Sequence, residues 1–417
     1  MSDPMSTEPL KPLRQAPAEV IDALPKRPID DVSTADALNR ITARQVTATE
    51  PVPPFANSAM DGYAVRRSDI AEVPTILEVI EDVPAGSVPK HPVKPGEATR
   101  IMTGAPMPEG ADAVVVVEAT SALDADRVEI RSVPGDGDHV RAAGGDVAVG
   151  DVIVEPGVRL SARHLASISS AVGTIPVADP PVVAIMSTGD EVVPPQTTSL
   201  SPGKIRDTNR VLVASMLDEL RLPTIDLGII GDDLGSLRSA YRRAADEADL
   251  IISTGGVSMG DYDFVKQVLG EEGAVQFWRV AMQPAKPFAF GSIDRVPLFG
   301  LPGNPVSTFV AFEQFVRPAV LHMMGATHLL RPRVVGTMGE DISTSPAKEV
   351  FLRVLLAQDD GGFVALRSGG QGSNVLSALA NAEAFAVVPV GTGTVSAGEP
   401  VTLEMFTWDE NRIDEDE

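Results

Sequence analysis

Blocks of apolar residues along the chain predict where its strands and helices lie. Between residues 182 and 325, short apolar runs alternate with longer segments whose apolar residues recur every three or four positions. Short buried strands separated by amphipathic helices are typical of a parallel sheet that is covered on both faces. We therefore predict a three-layer α/β domain over residues 179–328. Its strands are predicted at 182–186, 224–230, 250–253 and 297–300, and its helices at 207–222, 234–248, 264–269 and from 305 onward.

A different pattern precedes this domain. Short apolar runs between residues 51 and 150 are bounded by proline and glycine, which predicts an inserted β-rich domain. Two short helices flank it in sequence: one begins at Ser33 with an S-x-x-D start, and the other covers 161–172. We predict that residues 28–50 and 151–178 form one discontinuous helical linker domain around the insertion.

The chain returns to short strands after the α/β domain. Apolar runs separated by glycine-rich turns predict a small C-terminal β-barrel domain over residues 329–408. Residues 1–27 are rich in proline and lack periodicity, so we expect a disordered leader, and residues 409–417 form an acidic tail. The expected fold is thus α/β plus β, in an elongated multidomain chain.

Composition narrows the possible functions. The 417 residues include 34 Lys and Arg against 58 Asp and Glu, which gives a net charge of −24. Nucleic acids and anionic membrane surfaces need a basic footprint, so neither is expected as a partner. The chain has no cysteine, which excludes disulfides, thiolate catalysis and Cys-ligated metals. The start lacks a signal-peptide pattern and no apolar run reaches about 18 residues, which predicts a cytoplasmic protein.

Acidic residues follow the predicted parallel strands. Ligands of open parallel sheets bind at the carboxyl ends of the strands, so these carboxylates are expected to meet at one edge. Each of them alone could instead be a helix cap or a solvated turn residue. Their convergence costs energy unless a cation compensates, and without cysteine the natural cation is Mg²⁺. The acids are Asp190, Glu191, Asp207, Asp232, Asp233, Asp261 and Asp263, of which Glu191, Asp207, Asp233 and Asp263 are the predicted metal ligands.

Two glycine-containing turns near these acids are candidate anion sites. The segment 253–260 joins a strand to a helix, and its glycines would let backbone N–H groups approach a phosphate. In the segment 301–307, Pro305 suits the first position of a helix, and Ser307 would lie near the free helix start. Lys286 adds a positive charge nearby. A generic turn, an ordinary helix start and an exposed lysine are the alternative interpretations. The predicted substrate-binding residues of the first turn are Gly255, Gly256, Ser258 and Gly260.

Seven strings in order carry a resemblance to a known family. They are N-S-A-M-D-G-Y-A, I-M-T-G-A-P, S-T-G-D-E, D-T-N-R, T-G-G-V-S-M-G, K-P-F-A-F-G and L-P-G-N-P-V-S. From about Ser33 to Phe406 the chain resembles the molybdopterin molybdenumtransferases, that is, the MoeA proteins and the gephyrin E domain. The resemblance implies a homodimer whose α/β domain is the MogA-like molybdopterin-binding type.

The resemblance also implies a reaction and a set of site residues. The family inserts molybdate into adenylylated molybdopterin and releases AMP with the help of Mg²⁺, in molybdenum cofactor biosynthesis, where other proteins of that pathway are possible partners. This chain departs from the family at Gln283 and Ala285, where a basic residue and a glycine are usual. Asp207 and Ser307 are added from the reading of the strand ends. Carried over by motif, the site residues are Asp61, Thr103, Asp146, Glu191, Asp233, Asp263, Lys286, Pro302 and Pro305.

Two other functions were weighed against the transferase. One is a nucleotide-processing enzyme that uses the same α/β domain; the β-rich region with Asp61 and Thr103 argues against it, because such an enzyme would not need that region. The other is a non-catalytic scaffold, which the intact set of acids argues against. The sequence leaves open whether tungstate can replace molybdate.

Overall fold

The structure is a computed structural model that describes residues 10–256 and 264–406. The first part of the chain, to residue 178, is built mainly from short strands. Its elements are α1 (Gln15–Asp22), β1 (Ile29–Ser33), β2 (Val46–Thr47), β3 (Asn57–Ser58), β4 (Gly62–Val65), β5 (Thr75–Val83), β6 (Glu97–Ile101), β7 (Ala113–Val116), β8 (Thr120–Ala122), β9 (Arg127–Ile130), β10 (Val140–Arg141), β11 (Val152–Val154), α2 (Ala162–Ser169) and β12 (Thr174–Ala178).

The β-rich region is inserted into a small linker. Its main sheet has six strands in the order β7-β4-β6-β5-β9-β8. On either side of the insertion, β1 pairs with β12 and β2 pairs with β11, both antiparallel. The predicted helix from Ser33 is wrong: β1 runs to that residue and only one 3₁₀ turn (Thr34–Asp36) follows. The Ser33 hydroxyl donates to the Asp36 carboxylate at 2.7 Å, so these two side chains bond to each other.

The prediction of a disordered leader over residues 1–27 is wrong from residue 10 onward. The chain is folded there, and α1 buries a stripe of apolar side chains in the main core. Ala16 and Val20 of α1 supply this stripe together with Leu13 before the helix and Leu24 after it, at spacings of three and four residues. The prolines concealed this period, although Pro17 lies in the first helical turn, where it is tolerated.

Residues 183–323 form the α/β domain. One six-stranded sheet has helices packed on both faces. The elements are β13 (Val183–Thr188), β14 (Val192–Val193), β15 (Ile205–Arg206), α3 (Asn209–Glu219), β16 (Thr224–Ile230), α4 (Leu234–Glu247), β17 (Leu250–Thr254), α5 (Phe264–Glu272), β18 (Gly273–Arg279), β19 (Met282–Gln283), β20 (Pro287–Ile293), β21 (Val296–Leu301), α6 (Pro305–Ala311) and α7 (Arg317–Met323).

The sheet is mixed rather than wholly parallel. Its strand order is β16-β13-β17-β21-β20-β18, and the first four strands are parallel. β20 is antiparallel to β21 and β18 is antiparallel to β20. The reversal occurs at a two-residue hairpin turn, Asp294–Arg295, in which both residues have positive φ, of 45° and 71°. The helix predicted from Pro305 continues as α6 and α7, with a π-turn (Phe312–Val316) between them.

The C-terminal domain confirms the predicted β-barrel. Five strands close in the order β24-β25-β22-β28-β26 and back to β24, around a core of aliphatic side chains. Strand β19 of the α/β domain adds to this barrel beside β24. The elements are β22 (Arg333–Met338), β23 (Ile342–Ser343), β24 (Glu349–Asp359), β25 (Gly362–Arg367), α8 (Leu376–Ala380), β26 (Ala384–Val388), β27 (Thr394–Val395) and β28 (Pro400–Met405).

No helix within residues 10–256 and 264–406 combines the length and the apolarity that crossing a bilayer requires. The predicted acidic tail, 409–417, lies outside the described residues.

The packing of α1 leads to a stability prediction. Ala16→Asp places an unpaired carboxylate in the core, and we expect it to lower the free energy of unfolding by about 3 kcal/mol. Ala18→Asp is the matched control, because Ala18 lies in the same helix and is exposed; its effect should stay within about 0.5 kcal/mol. Urea titrations of both variants measure the difference. Equal effects would contradict the burial of α1.

Candidate active site at the carboxyl edge of the mixed sheet

The loops that follow the four parallel strands meet at one edge of the sheet, here called the rim. It consists of residues 189–191, 231–233, 255–256 and 302–304, which follow β13, β16, β17 and β21. Because β20 runs antiparallel to β21, with Ala289 beside Gly300, its first residues lie at the same edge. The structure therefore brings together these predicted site residues: Glu191, Asp233, Gly255, Gly256, Lys286, Pro302, Pro305 and Ser307.

Exposed carboxylates occupy two of the rim loops. The backbone N–H of Asp190 donates to Asp232 at 3.2 Å, and the N–H of Asp232 donates to Asp190 at 3.0 Å, which ties the two loops together. Asp233 caps α4 by accepting the N–H of Ser236 at 2.9 Å. The hydroxyl and N–H of Ser236 lower the pKa of Asp233. Glu191 is exposed beside them. The loops thus present several carboxylates to solvent.

Asp207 has a different environment. It is only 3% exposed and lies beneath the rim. One of its oxygens accepts the Ser187 hydroxyl at 2.9 Å and the Arg210 N–H at 3.0 Å, and the other accepts Arg210 Nε at 2.9 Å. Ser187 also bonds Thr254 at 3.0 Å, so the network joins α3 to two strands. These contacts argue against Asp207 as a ligand of metal or substrate and give it a structural role.

The predicted metal site is only partly described. Within residues 10–256 and 264–406, no three acidic or histidine side chains lie together as a metal cluster. Asp263, the fourth predicted ligand, lies outside the described residues, as do Asp261, Ser258 and Gly260.

Both described positions of the glycine turn, Gly255 and Gly256, can be occupied only by glycine. Gly255 has a φ of +91°, and a Cβ there would lie 2.8 Å from the carbonyl oxygen of Thr188. Gly256 has a φ of +65°, and a Cβ would lie 2.3 Å from a methyl of Val265. Side chains are excluded from both positions, so the backbone itself forms this part of the rim.

The start of α6 is held by neighbouring elements. The Asn209 amide donates to the carbonyl of Gly303 at 2.8 Å, and the Thr308 hydroxyl donates to the carbonyl of Pro302 at 2.6 Å. The N–H of Val306 donates to the carbonyl of Ser373 in the barrel domain at 3.1 Å. Pro305 fills the first helical position, whereas Ser307, predicted to donate to an oxyanion, is 5% exposed and so is buried beneath the rim.

Three cations gather at the other side of the rim. Lys286 directly precedes β20, and its carbonyl accepts the N–H of Val280, which brings it beside Arg279. Strand β19 pairs with β24, and the N–H of Glu349 donates to the carbonyl of Ala281 at 2.9 Å, which brings Lys348 to the same place. Partial burial, and then the charges of Arg279 and Lys348, lower the pKa of Lys286. We call these three residues the cation cluster.

Sequence reasoning missed two basic residues, Lys348 and Arg353. Arg353 is buried in the barrel and donates to the carbonyls of Gly370 and Gly372 at 2.9 and 3.2 Å. It thereby shapes the loop that reaches α6 through Ser373. Both residues lie more than sixty positions from Lys286 in sequence, and only the docking of the barrel places them near the rim. A basic residue just before a predicted barrel strand was the only available signal for Lys348.

Asp61 and Thr103 belong to the β-rich region and bind each other. The N–H and hydroxyl of Thr103 both donate to the Asp61 carboxylate at 2.7 Å. These hydrogen bonds, that of the backbone first, lower the pKa of Asp61, so the exposed pair presents a carboxylate anion. Asp146 is exposed in another turn of this region, where its N–H donates to the carbonyl of Val52 at 2.9 Å.

The Asp207 network gives a prediction that separates a structural role from ligand binding. Asp207→Ala removes the buried partner of Arg210 and one of the two hydrogen bonds of Ser187, and we expect it to lower the free energy of unfolding by about 3 kcal/mol. Asp226 is the matched control, since it pairs with the same guanidinium but its side chain is 47% exposed. Asp226→Ala should cost about 0.5 kcal/mol. Chemical denaturation measures both, and an undiminished stability of Asp207→Ala would contradict the structural role.

Family models match three consecutive stretches of the chain. Residues 11–172 match the MoeA N-terminal region (domain I and II), and residues 184–322 match a probable molybdopterin binding domain. Residues 335–406 match the MoeA C-terminal region (domain IV).

Whole-chain relatives agree with these matches. The chain is 36% identical to the molybdopterin molybdenumtransferase of Haemophilus influenzae, over 94% of this chain and 98% of the relative. It is 35% identical to that of Bacillus subtilis, over 89% and 88%. The crystal structure of the molybdopterin biosynthesis MoeA protein from Pyrococcus horikoshii superposes with a TM-score of 0.81 at 31% identity, covering 95% of this chain and 99% of that one. The chain therefore belongs to the molybdopterin molybdenumtransferase family.

Proposed function

We propose that this protein is a molybdopterin molybdenumtransferase, which inserts molybdate into adenylylated molybdopterin and releases AMP. The observation that carries the proposal is the rim itself. It places a glycine-lined backbone turn, a row of carboxylates and a cation cluster at one edge of the sheet, in a chain whose relatives bear that name over nearly their whole length.

The chemistry requires two anions to meet. The turn at Gly255 and Gly256 would hold a phosphate of the pterin nucleotide through backbone N–H groups. The cation cluster would hold molybdate, a tetrahedral dianion, by charge-assisted hydrogen bonds. No covalent nucleophile is needed, because catalysis then consists of holding two mutually repelling anions in the reactive geometry.

The exposed acids of the rim fit a magnesium ion. A Cβ built on Gly231 would lie 3.4 Å from an oxygen of Asp190 and 3.9 Å from an oxygen of Asp233, so two carboxylates face one small space. Glu191 is exposed in the same loop as Asp190. Mg²⁺ is commonly held by one or two carboxylates together with substrate phosphates, and when bound it would neutralise charge on the phosphoanhydride. Asp190 and Asp233 are the two carboxylates we assign to it, and Glu191 remains a proposed catalytic residue of the rim.

Lys348 offers a replacement for the charge that this chain lacks at position 283. Family members usually carry a basic residue where Gln283 stands. Here β19 ends at Gln283, directly beside β24, and Lys348 comes just before that strand. The barrel domain would therefore supply to the oxyanion a charge that the α/β domain omits.

Release of AMP tests the proposed function. Adenylylated molybdopterin should release AMP faster when molybdate is present. Lys286→Ala should raise the half-saturating molybdate concentration about tenfold, because it removes a charge-assisted contact. Arg243→Ala is the control, since Arg243 lies at the far end of α4 and pairs with Glu247. Release of AMP that ignores molybdate would overturn the proposal.

The replaced charge can be tested in the same assay. Lys348→Ala should also raise half-saturating molybdate, and adding Gln283→Lys should lower it again. If adding Gln283→Lys does not lower the half-saturating molybdate concentration of Lys348→Ala, Lys348 does not replace the charge missing at position 283.

We further propose that the protein is a homodimer with composite sites. Asp61 and Thr103 form an ordered, exposed pair in the β-rich region, whereas the rim belongs to the α/β domain. The family resemblance supports the proposal, because it implies that this pair would lie against the α/β domain of the partner chain. Each site would then contain a rim from one chain and the Asp61–Thr103 pair from the other.

Complementation tests the composite site. Mixed refolded dimers of Asp61→Ala and Glu191→Ala should recover about a quarter of the sites, because random assortment rebuilds one intact site in each mixed dimer. A mixture of Asp61→Ala with Thr103→Ala serves as the control, since both lesions fall on the same side of the site and cannot complement. Recovery in neither mixture, or a monomer by light scattering, would contradict the proposal.

A further inference from the structure

The barrel docks along the helix that begins at the rim. The first contact is the hydrogen bond from the N–H of Val306 to Ser373. One turn later Phe309 packs edge-on against Phe385 and Phe406, with ring centroids 5.7 and 5.4 Å apart. Further along lies the π-turn (Phe312–Val316), with its side chains buried. The same helix therefore carries the rim at one end and the barrel along its length.

A buried polar contact completes this docking at the π-turn. The Gln314 amide donates to one oxygen of Glu404 at 2.7 Å, and the two residues are 4% and 1% exposed. Arg333 donates to the other oxygen of Glu404 at 3.0 and 2.7 Å. Gln314 belongs to the α/β domain and Glu404 to β28, so this hydrogen bond joins the two domains directly. Buried hydrogen bonds of this kind fix one geometry, because leaving either group unpaired is costly.

The docking decides where the barrel places its groups at the rim. Lys348 and the loop shaped by Arg353 are both carried by the barrel. The pairing of β19 with β24 ties this edge of the barrel to the α/β domain, so a tilt of the barrel about that edge would shift Lys348 and the loop relative to Lys286 and α6. Misplacement by about 1 Å can cost a reaction about a hundredfold.

We infer that Gln314 is a positioning residue for the oxyanion: by binding Glu404 it holds the barrel so that Lys348 completes the cation cluster. The inference rests on the proposed function, because the oxyanion is the molybdate of that reaction. It assigns to Gln314 no contact with substrate.

The test introduces a second carboxylate at this contact, so the surrounding charges matter. Glu404 faces Arg333 from β22, and it also interacts with Arg317 and Arg331 from α7 and the segment after it, and with Glu349 from β24. Glu313, next to Gln314, is already bound by Arg331 at 2.8 Å. The cations are therefore engaged, and a new carboxylate at position 314 would face Glu404 directly.

Gln314→Glu is the informative substitution, because it keeps the shape and makes the contact depend on pH. Near pH 8 two carboxylates would repel, and we expect half-saturating molybdate to rise about tenfold relative to the unsubstituted protein. As pH falls to about 6, the pair shares a proton, one oxygen becomes a donor, and the value should return toward that of the unsubstituted protein at the same pH. Affinity for AMP should change less than about twofold, since no AMP contact is altered.

Gln267→Glu is the matched control. Gln267 donates to Glu271 at 2.9 Å in an exposed pair on α5, so the same substitution meets the same neighbour in water. Gln267→Glu should change neither the half-saturating molybdate concentration nor the affinity for AMP, near pH 8 or near pH 6, because exposed charges are screened.

A readout independent of catalysis separates this inference from the proposed function. In Gln314→Glu near pH 8, and in Gln314→Met at any pH, hydrogen exchange should speed up in peptides containing Val306 and in the loop 369–373. If exchange responds but no AMP is released by any variant, the proposed function fails and the docking role stands. If Gln314→Glu and Gln314→Met leave both exchange and half-saturating molybdate unchanged, or lower only thermal stability, the positioning role is overturned.

Discussion

Charge is the constraint on which the rest of this structure depends. The chain carries a net charge of −24, yet the reaction proposed for it needs two anions side by side. The rim combines backbone N–H groups at Gly255 and Gly256 with cations at the end of β18 and directly before β20 and β24. In the proposed function, the arrangement of the domains brings these positive groups to one edge of the sheet.

Neighbouring acids at the rim show how burial divides one residue type into two roles. Asp233 is exposed, caps α4 and stays ionised in contact with solvent. Asp207 is buried, and its oxygens are engaged by Ser187 and Arg210. Both aspartates follow a strand and precede a helix, so the sequence pattern treats them alike. Only the burial of the side chain distinguishes Asp207, which anchors α3, from Asp233, which is exposed and can contact a cation.

Local patterns predicted those parts of the fold that local interactions determine. The helix predicted at 234–248 forms as α4, because its apolar period and its aspartate cap lie within one segment. The antiparallel strand β20 was missed, since the turn that joins it to β21 is Asp294–Arg295 and contains no glycine. The helix α1 was missed because prolines concealed its apolar stripe. Lys348 could not be placed at all, because its neighbours in space come from β19, far away in sequence.

The helix from Pro305 to Met323 explains why these distant parts can form one site. Its first turn shapes the rim, and its side chains at Phe309 and Gln314 hold the barrel. Because this helix is rigid, its contacts with the barrel fix the position of the barrel loop relative to the rim at its first turn. The π-turn inserts a residue in the middle of this helix and places Glu313 and Gln314 in succession against two different partners, Arg331 and Glu404. Buried polar groups in such a turn are costly unless all are paired, which favours a single seating of the barrel over a range of orientations. In the proposed function, that single seating would let Lys348 of the barrel domain contact the molybdate held beside Lys286 of the α/β domain.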